Sequence, residues 1–224
     1  MGKHQVSLIP CEPDSSTEDV EKKVTELIGA LPQVVDRLRS ARKILIKINL
    51  APGSIDYYRE RPFQFTDPQV FNACVAFIRD VSDAEIIAGD GTDGMGPAEA
   101  IEKEGHKRVI EKRGIRFVDL NIGSFERFEV PRPSIFNWYN LSAELLGVDF
   151  VMSIAKMKSH HMCGVTLSIK NLFGIPPNTI YGTPRLTLHS PLRLPLILPD
   201  LMQLFPPDIS VIDGIVGANY RADA

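Results

Sequence analysis

The sequence predicts an α/β fold, a mostly parallel sheet flanked by helices in three layers, with a loop-rich, Pro-rich and basic C-terminal third. Three observations carry that expectation. Short apolar, β-branched runs alternate with stretches of helical periodicity along the first two thirds of the chain. Strands separated by helices at this spacing connect through right-handed crossovers, which makes them parallel. From residue 150 to residue 199 there is no Asp or Glu, and prolines gather between Pro176 and Pro207, so regular helix gives way to loop.

Taken in order, residues 5–9 read as a first strand and residues 18–38 as one helix or two. Val20, Val24, Leu27, Ile28 and Leu31 give the helical stripe, Ser15, Ser16 and Thr17 offer N-caps, and Pro32 interrupts. Residues 43–48 (KILIKI) form a strand, and residues 49–65 a loop. Asp67 and Pro68 open a helix whose apolar stripe includes Cys74, read as a small core residue. Residues 85–88 form a strand, 97–112 a helix and 115–120 a strand. Residues 128–130 pair antiparallel at an edge, 141–146 make a brief helix, 150–154 a core strand and 209–212 the last strand. The 224 residues suit a single α/β domain.

Composition narrows the function. Net charge is −3, which argues against general nucleic-acid binding. No apolar run approaches the ~18 residues of a membrane span, and the first residues do not form a signal peptide. Cys11, Cys74 and Cys163 are odd in number and far apart. That fits a reducing compartment, makes cytoplasmic the expected location, and leaves no set for an iron–sulfur cluster. Other cofactors stay unspecified. The acid-free segment carries Lys156, Lys158, Lys170, Arg185 and Arg193, leaving 20 basic against 28 acidic residues elsewhere. The partner this polarity suggests is a small anionic ligand.

Open α/β sheets bind ligands beyond the carboxyl ends of their strands. Three such ends are polar: Lys47 with Asn49, the loop that begins Gly89-Asp90-Gly91-Thr92-Asp93, and Lys156-Met157-Lys158-Ser159-His160-His161. If these strands are parallel neighbours, the three ends converge. In an extended run Lys156, Lys158 and His160 share a face and can clamp a carboxylate or phosphate, with His160 exchanging a proton; a solvated basic turn is the plain alternative. Lys170, set in an apolar stretch, must snorkel or meet an anion, and desolvated it can act as a base. Thr166, Asn171 and His189 complete the candidate substrate-binding set with Lys47, Asn49, Asp90 and Thr92. Asp90 and Asp93 would repel a bare phosphate and can instead hold a cation or a sugar hydroxyl, or cap the next helix. No metal ligand is assigned. The leading reading is an enzyme of small carboxylate or phosphate metabolism, an oxidoreductase or isomerase. A non-catalytic module for a nucleotide-like cofactor or a partner is the alternative, and a metal-dependent hydrolase using Asp90, Asp93, His160 and His161 the third.

With these residues set out, the chain resembles the domain-of-unknown-function 362 family. The resemblance rests on ILIKINL (44–50), TDPQVFNACVAFIRD (66–80), IIAGDGTDG (86–94), GIRFVDLN (114–121), DFVMSIAKMKSHHMCGVTLSIKNLFGIPP (149–177) and VIDGIVG (211–217). Its most specific part is Lys-x-Lys-x-His followed by Thr-x-x-x-Lys-Asn-x-x-Gly, met by Lys156, Lys158, His160, Thr166, Lys170, Asn171 and Gly174. The family is uncharacterised. Its iron–sulfur association implies redox metabolism, but the cluster's cysteines are missing here. Its members continue past the last motif, which implies a C-terminally truncated member.

Overall fold

The computed structural model describes residues 5–50, 56–92 and 96–219. In chain order the elements are α1 (Thr17–Gly29), α2 (Pro32–Ser40), β1 (Lys43–Lys47), β2 (Tyr57–Tyr58), β3 (Arg61–Pro62), α3 (Pro68–Val81) and β4 (Glu85–Asp90). There follow α4 (Pro97–Lys103), α5 (His106–Arg113), β5 (Arg116–Asp119), β6 (Phe125–Glu129), β7 (Trp138–Ser142), a 3-10 turn (Ala143–Leu145) and β8 (Phe150–His160). The last third holds β9 (Gly164–Thr166), α6 (Ser168–Asn171), a second 3-10 turn (Leu172–Gly174), α7 (Asn178–Tyr181), α8 (Leu194–Leu204) and β10 (Ile209–Ala218).

The central sheet runs β10-β8-β1-β4-β5 with every pair parallel, and β9 turns back antiparallel on β8. Side chains alternate between its two faces. Ile44, Ile46, Ile86, Ala88, Phe150, Met152 and Ile154 pack on one face with α1, α2 and α3, around Phe71, Val75 and Ile78. Leu45, Ile87 and Val151 pack on the other, with Tyr139, Leu172, Phe173, Ile197 and Leu201. Because both faces are covered, the strands read as near-continuous apolar runs. This is the three-layer α/β arrangement predicted.

Local chemistry explains the helix bounds. Ser16 and Asp19 form a reciprocal capping box at the start of α1, and Pro32 starts a second helix instead of kinking the first. Asp67 caps α3 by accepting from the Gln69 amide at 2.7 Å. Cys74 is fully buried, and burial pushes its thiol up to about 12, as fits an inert core residue.

Several expectations are corrected. Residues 5–9 form no strand: they lie near the edge strand β10 without pairing to it, and Val6 and Leu8 stand exposed. The predicted helix over 97–112 breaks in two at Gly105, whose φ of +84° a helix cannot use. Residues 128–130 belong to a separate hairpin of β6 with β7, not to the edge of the main sheet. The helix expected over 141–146 is one 3-10 turn. The strand begun at Phe150 runs on to His160, and the last strand continues past Asp213 to Ala218 through an irregularity in its pairing.

Candidate functional site

β1 lies between β4 and β8, in register at Lys47–Gly89 and Lys47–Ser153. The chain leaves β1 toward β4 on one side and later returns to β8 on the other. The carboxyl ends of β1 and β8 therefore border a topological switch point, where α/β sheets open a crevice. A cavity of about 280 Å³ lies there. Its walls bring together Lys47, Asn49, Asp90, Thr92, Lys158, His160, Thr166, Lys170, Asn171 and His189, joined by Phe173, Gly174 and Arg185. A second, more open cavity lies at the opposite end of the sheet among Arg39, Arg42, Arg79, Asp80 and Asp83, a mixed-charge surface.

The floor is a buried ion pair. Lys47 Nζ stands 2.7 Å from Asp90 Oδ1, with both side chains almost fully enclosed. Lys47 also donates to the Ile48 carbonyl at 2.6 Å and to Asn171 Oδ1 at 3.3 Å. Asp90 accepts from the amides of Leu50 and Gly91, each at 2.9 Å. Burial pulls the Lys47 ammonium below the usual lysine range, and Asp90 pulls it back. Asn171 ties the strand ends together: its amide nitrogen donates to the Lys47 carbonyl at 2.9 Å and to Ser153 Oγ at 3.0 Å. Gly174 is required above this pair: a Cβ there would sit 2.1 Å from Asp90 Oδ1.

The rim is cationic. Lys158 donates to the Gln64 carbonyl, and burial together with the Lys170 charge holds its ammonium down to about 8. Lys170 lies 4.6 Å from the centre of the Phe173 ring. His160 accepts the Met162 and Cys163 amides at Nδ1, each at 3.2 Å. Its proton then sits on Nε2. Burial, Lys170 and the other two histidines lower it to about 4, so the ring is neutral throughout the neutral range. It stacks on exposed His161 at 4.8 Å, and His189 lies 6.2 Å away.

Lys156 does not join the cavity. It points to the α3 face, as Ile154 does, and its ammonium meets Asp213 at 3.0 Å with both side chains wholly buried. Asp213 also accepts the Asp67 amide at 2.9 Å, which ties β10 to the start of α3. Asp93 lies outside the described residues. Among the described residues, no three His, Cys, Asp or Glu side chains are grouped to hold a metal ion, and no helix is long and apolar enough to cross a membrane.

One wall residue, Arg185, and one residue that supports the wall, Asn121, escaped the sequence reading. Arg185 is buried, at a φ of +56° that is uncommon outside glycine. Its guanidinium donates to the carbonyls of Pro176, Gly91 and Gly174, clasping the last third of the chain over the strand ends. Asn121, at the end of the β5 motif, donates to the Thr92 carbonyl at 3.1 Å and accepts the Asn178 amide at 2.9 Å. Arg185 stood in the acid-free segment as one charge among five. Neither residue's carbonyl partners could be read from spacing.

Comparison with known proteins agrees with the segments that form this site. The family described as Domain of unknown function (DUF362) matches residues 44–222. The chain belongs to the DUF362 family. The thylakoid-associated protein sll1697 of Synechocystis sp. (strain ATCC 27184 / PCC 6803 / Kazusa) is 29% identical over 138 residues, covering 60% of this chain and 39% of that protein. A crystal structure of a protein from Thermotoga maritima aligns with a TM-score of 0.48 at 14% identity, covering 87% of this chain and 49% of that one. This DUF362 chain thus spans less than half the length of either relative. Every described residue lining its cavity, from Lys47 to His189, falls inside the matched residues.

Proposed function

We propose that this chain binds a small carboxylate or phosphate compound in the cavity at the ends of β8, β1 and β4, and acts on it as an enzyme by moving a proton. One observation carries the reading: Lys47, Lys158, Lys170 and Arg185 line a small cavity in which Asp90, the carboxylate among the described lining residues, is paired with Lys47. Such a wall favours an anion, because charges in a partly buried cavity are less screened than on an open surface. Lys158 and His160 support the proton-transfer part. An ammonium that titrates near 8 is a usable base, and a neutral imidazole offering Nε2–H is a hydrogen-bond donor to a developing negative charge.

The test is ligand-induced stabilisation with inorganic phosphate, sugar phosphates and small carboxylates, since a ligand of the folded state raises apparent stability by mass action. Lys170→Ala should weaken the best anion by at least about tenfold, as loss of a charged contact does. His160→Gln should leave affinity nearly unchanged and remove turnover of that compound. Equal affinity in wild type and Lys170→Ala would refute the site. Full turnover in His160→Gln would favour a centre in which His160 plays no chemical part.

The pH dependence follows from Lys158. Its charged form attracts the anion, so affinity should hold steady through the neutral range and fall as pH rises through about 8, well below the usual lysine range. His160, already neutral, adds no step there. Calorimetric titration between these limits checks it, and Lys158→Met should flatten the upper limb. Stability moves the other way. The buried ammonium is a cost below pH 8 that is relieved between about 8 and 10.5, so the free protein should gain stability over that window.

A further inference from the structure

β10 is the outer strand of the central sheet: β8 pairs with one side of it, and no backbone bond reaches its other side among the described residues. A free strand edge is a row of unpaired N–H and C=O groups ready for another strand, and proteins blunt such edges with Lys, Pro or outward charge. None of these protects residues 209–213. Their exposed side chains are Ser210 and Ile212, and their one charge, Asp213, is buried against Lys156. A groove of about 520 Å³ lies along this edge, walled by Val20, Val24 and Leu27 of α1 and by residues 6–12.

The chain also carries a partner for such an edge. Residues 5–10 (QVSLIP) alternate as a strand does. Ser7 and Ile9 are half-buried, while Val6 and Leu8 are 90% and 92% exposed, the two most exposed large apolar side chains among the described residues. The segment is held at both ends: Gln33 donates to the Gln5 side-chain oxygen at 2.8 Å, and Lys23 donates to the Pro10 carbonyl. Its backbone makes no bond to β10. A strand edge without a strand thus stands beside a strand-like segment without an edge.

A peptide from another protein, laid on the edge, would fill the groove and leave Val6 and Leu8 in water. A second copy of this chain covers both. A two-fold axis gives each copy's segment to the other's edge, so the same contact forms twice. Charge permits it, because residues 5–10 and the exposed side of residues 209–213 carry no charged side chain. The other charges of the groove, Glu12 and Lys23, have opposite signs.

We infer that this face pairs two copies of the chain, with Val6 and Leu8 of each copy laid beside Ile212 on the β10 edge of the other. Main-chain bonds along the edge hold the pair, as in other strand additions, and the tethers of the segment reduce the ordering that pairing costs. The contact uses no residue of the cavity between β8, β1 and β4.

Light scattering on the size-fractionated chain tests it. Wild type should show twice the mass of one chain and fall toward one on dilution. The pair Val6→Lys with Leu8→Lys, and Ile212→Glu alone, should each stay single chains at concentrations where wild type pairs, with unchanged circular dichroism. Mixed in equal amounts, the two variants should pair again, because Lys on one copy then faces Glu on the other. Leu192→Lys, at a position 86% exposed and outside the groove, should pair as wild type does. Wild type that stays a single chain up to ~100 μM overturns the inference, and uptake of a synthetic QVSLIP peptide by that single chain assigns the edge to a strand of another protein instead. A dimer that survives both variants overturns this face as its contact. Loss of pairing in each variant without recovery in the mixture overturns the exchange of segment for edge.

Discussion

Replacing Lys156 with methionine is expected to lower the unfolding free energy by about 3–5 kcal/mol, a fall of roughly 10 °C in Tm for a chain of this length. The reason is geometric. Lys156 and Asp213 are both wholly enclosed, and Lys156 is the only charged partner within 4.0 Å of Asp213 among the described residues. Asp213 has one oxygen on Lys156 Nζ and the Asp67 amide, while its other oxygen is buried without a partner. Removing the lysine leaves a buried carboxylate, whereas removing an exposed pair such as Arg39 with Asp36 costs at most about 1 kcal/mol. Burial already pushes the Asp213 carboxyl up and Lys156 restrains it. Without Lys156 the carboxyl takes up a proton in the folded state at a pH where the unfolded chain has lost it. The variant's stability should then fall as pH rises above the usual carboxylate range, and its deficit should be smaller in mild acid than at neutral pH. Adding Asp213→Asn, which keeps an acceptor for the Asp67 amide, should recover part of the loss. Thermal melts of the two variants beside Arg39→Ala decide it, and a Lys156→Met melt no lower than that of Arg39→Ala would mean that the pair is not isolated from water.

This same pair marks where the sequence stops being legible. KILIKI, the apolar stripe of α3 and the run from Phe150 announce their elements because period-2 and period-3.6 patterns report directly on which face is buried. The convergence of Lys47, Asp90 and Lys158 was readable for a related reason: parallel neighbours put their carboxyl ends together, and the polar residues sat at those ends. Lys156 has the same spacing pattern as Lys158, yet it is withdrawn from the cavity by Asp213, 57 residues away, through pairing of β8 with β10. Only the sheet order reveals that. The hairpin of β6 and β7 was half seen because FERFE sets two phenylalanines three residues apart among charged side chains, with neither full burial nor period-2 alternation to mark a strand. Residues 5–9 show the converse, since their alternating pattern buries neither Val6 nor Leu8 and the segment forms no ladder with nearby β10. Arg185 was hidden because its partners are carbonyls placed by loop conformation, which residue types do not encode.

Gly174→Ala is expected to damage both stability and anion binding more than any other single methyl group added in the site. The new Cβ would lie 2.1 Å from Asp90 Oδ1 and 2.8 Å from Lys47 Nζ, separations at which one partner must move. Neither can move cheaply. Asp90 is fixed by the Leu50 and Gly91 amides, and Lys47 by the Ile48 carbonyl and Asn171. Overpacking by a methyl group costs about 1–3 kcal/mol, and separating the buried pair adds to it, so a loss of about 3 kcal/mol or more is expected. The consequence for binding has a definite sign. An Asp90 carboxylate pushed away from Lys47 presents unneutralised negative charge to the cavity, and phosphate affinity should fall by at least about tenfold. Gly29→Ala is the matched control: nothing lies within 4 Å of its added Cβ, and alanine suits a helix better than glycine, so it should melt at or slightly above wild type. Melting curves and phosphate titrations of the two alanine variants separate the readings. If Gly174→Ala melts and binds as Gly29→Ala does, the Lys47–Asp90 pair is not the floor of the site, and the anion must be held by the rim cations alone.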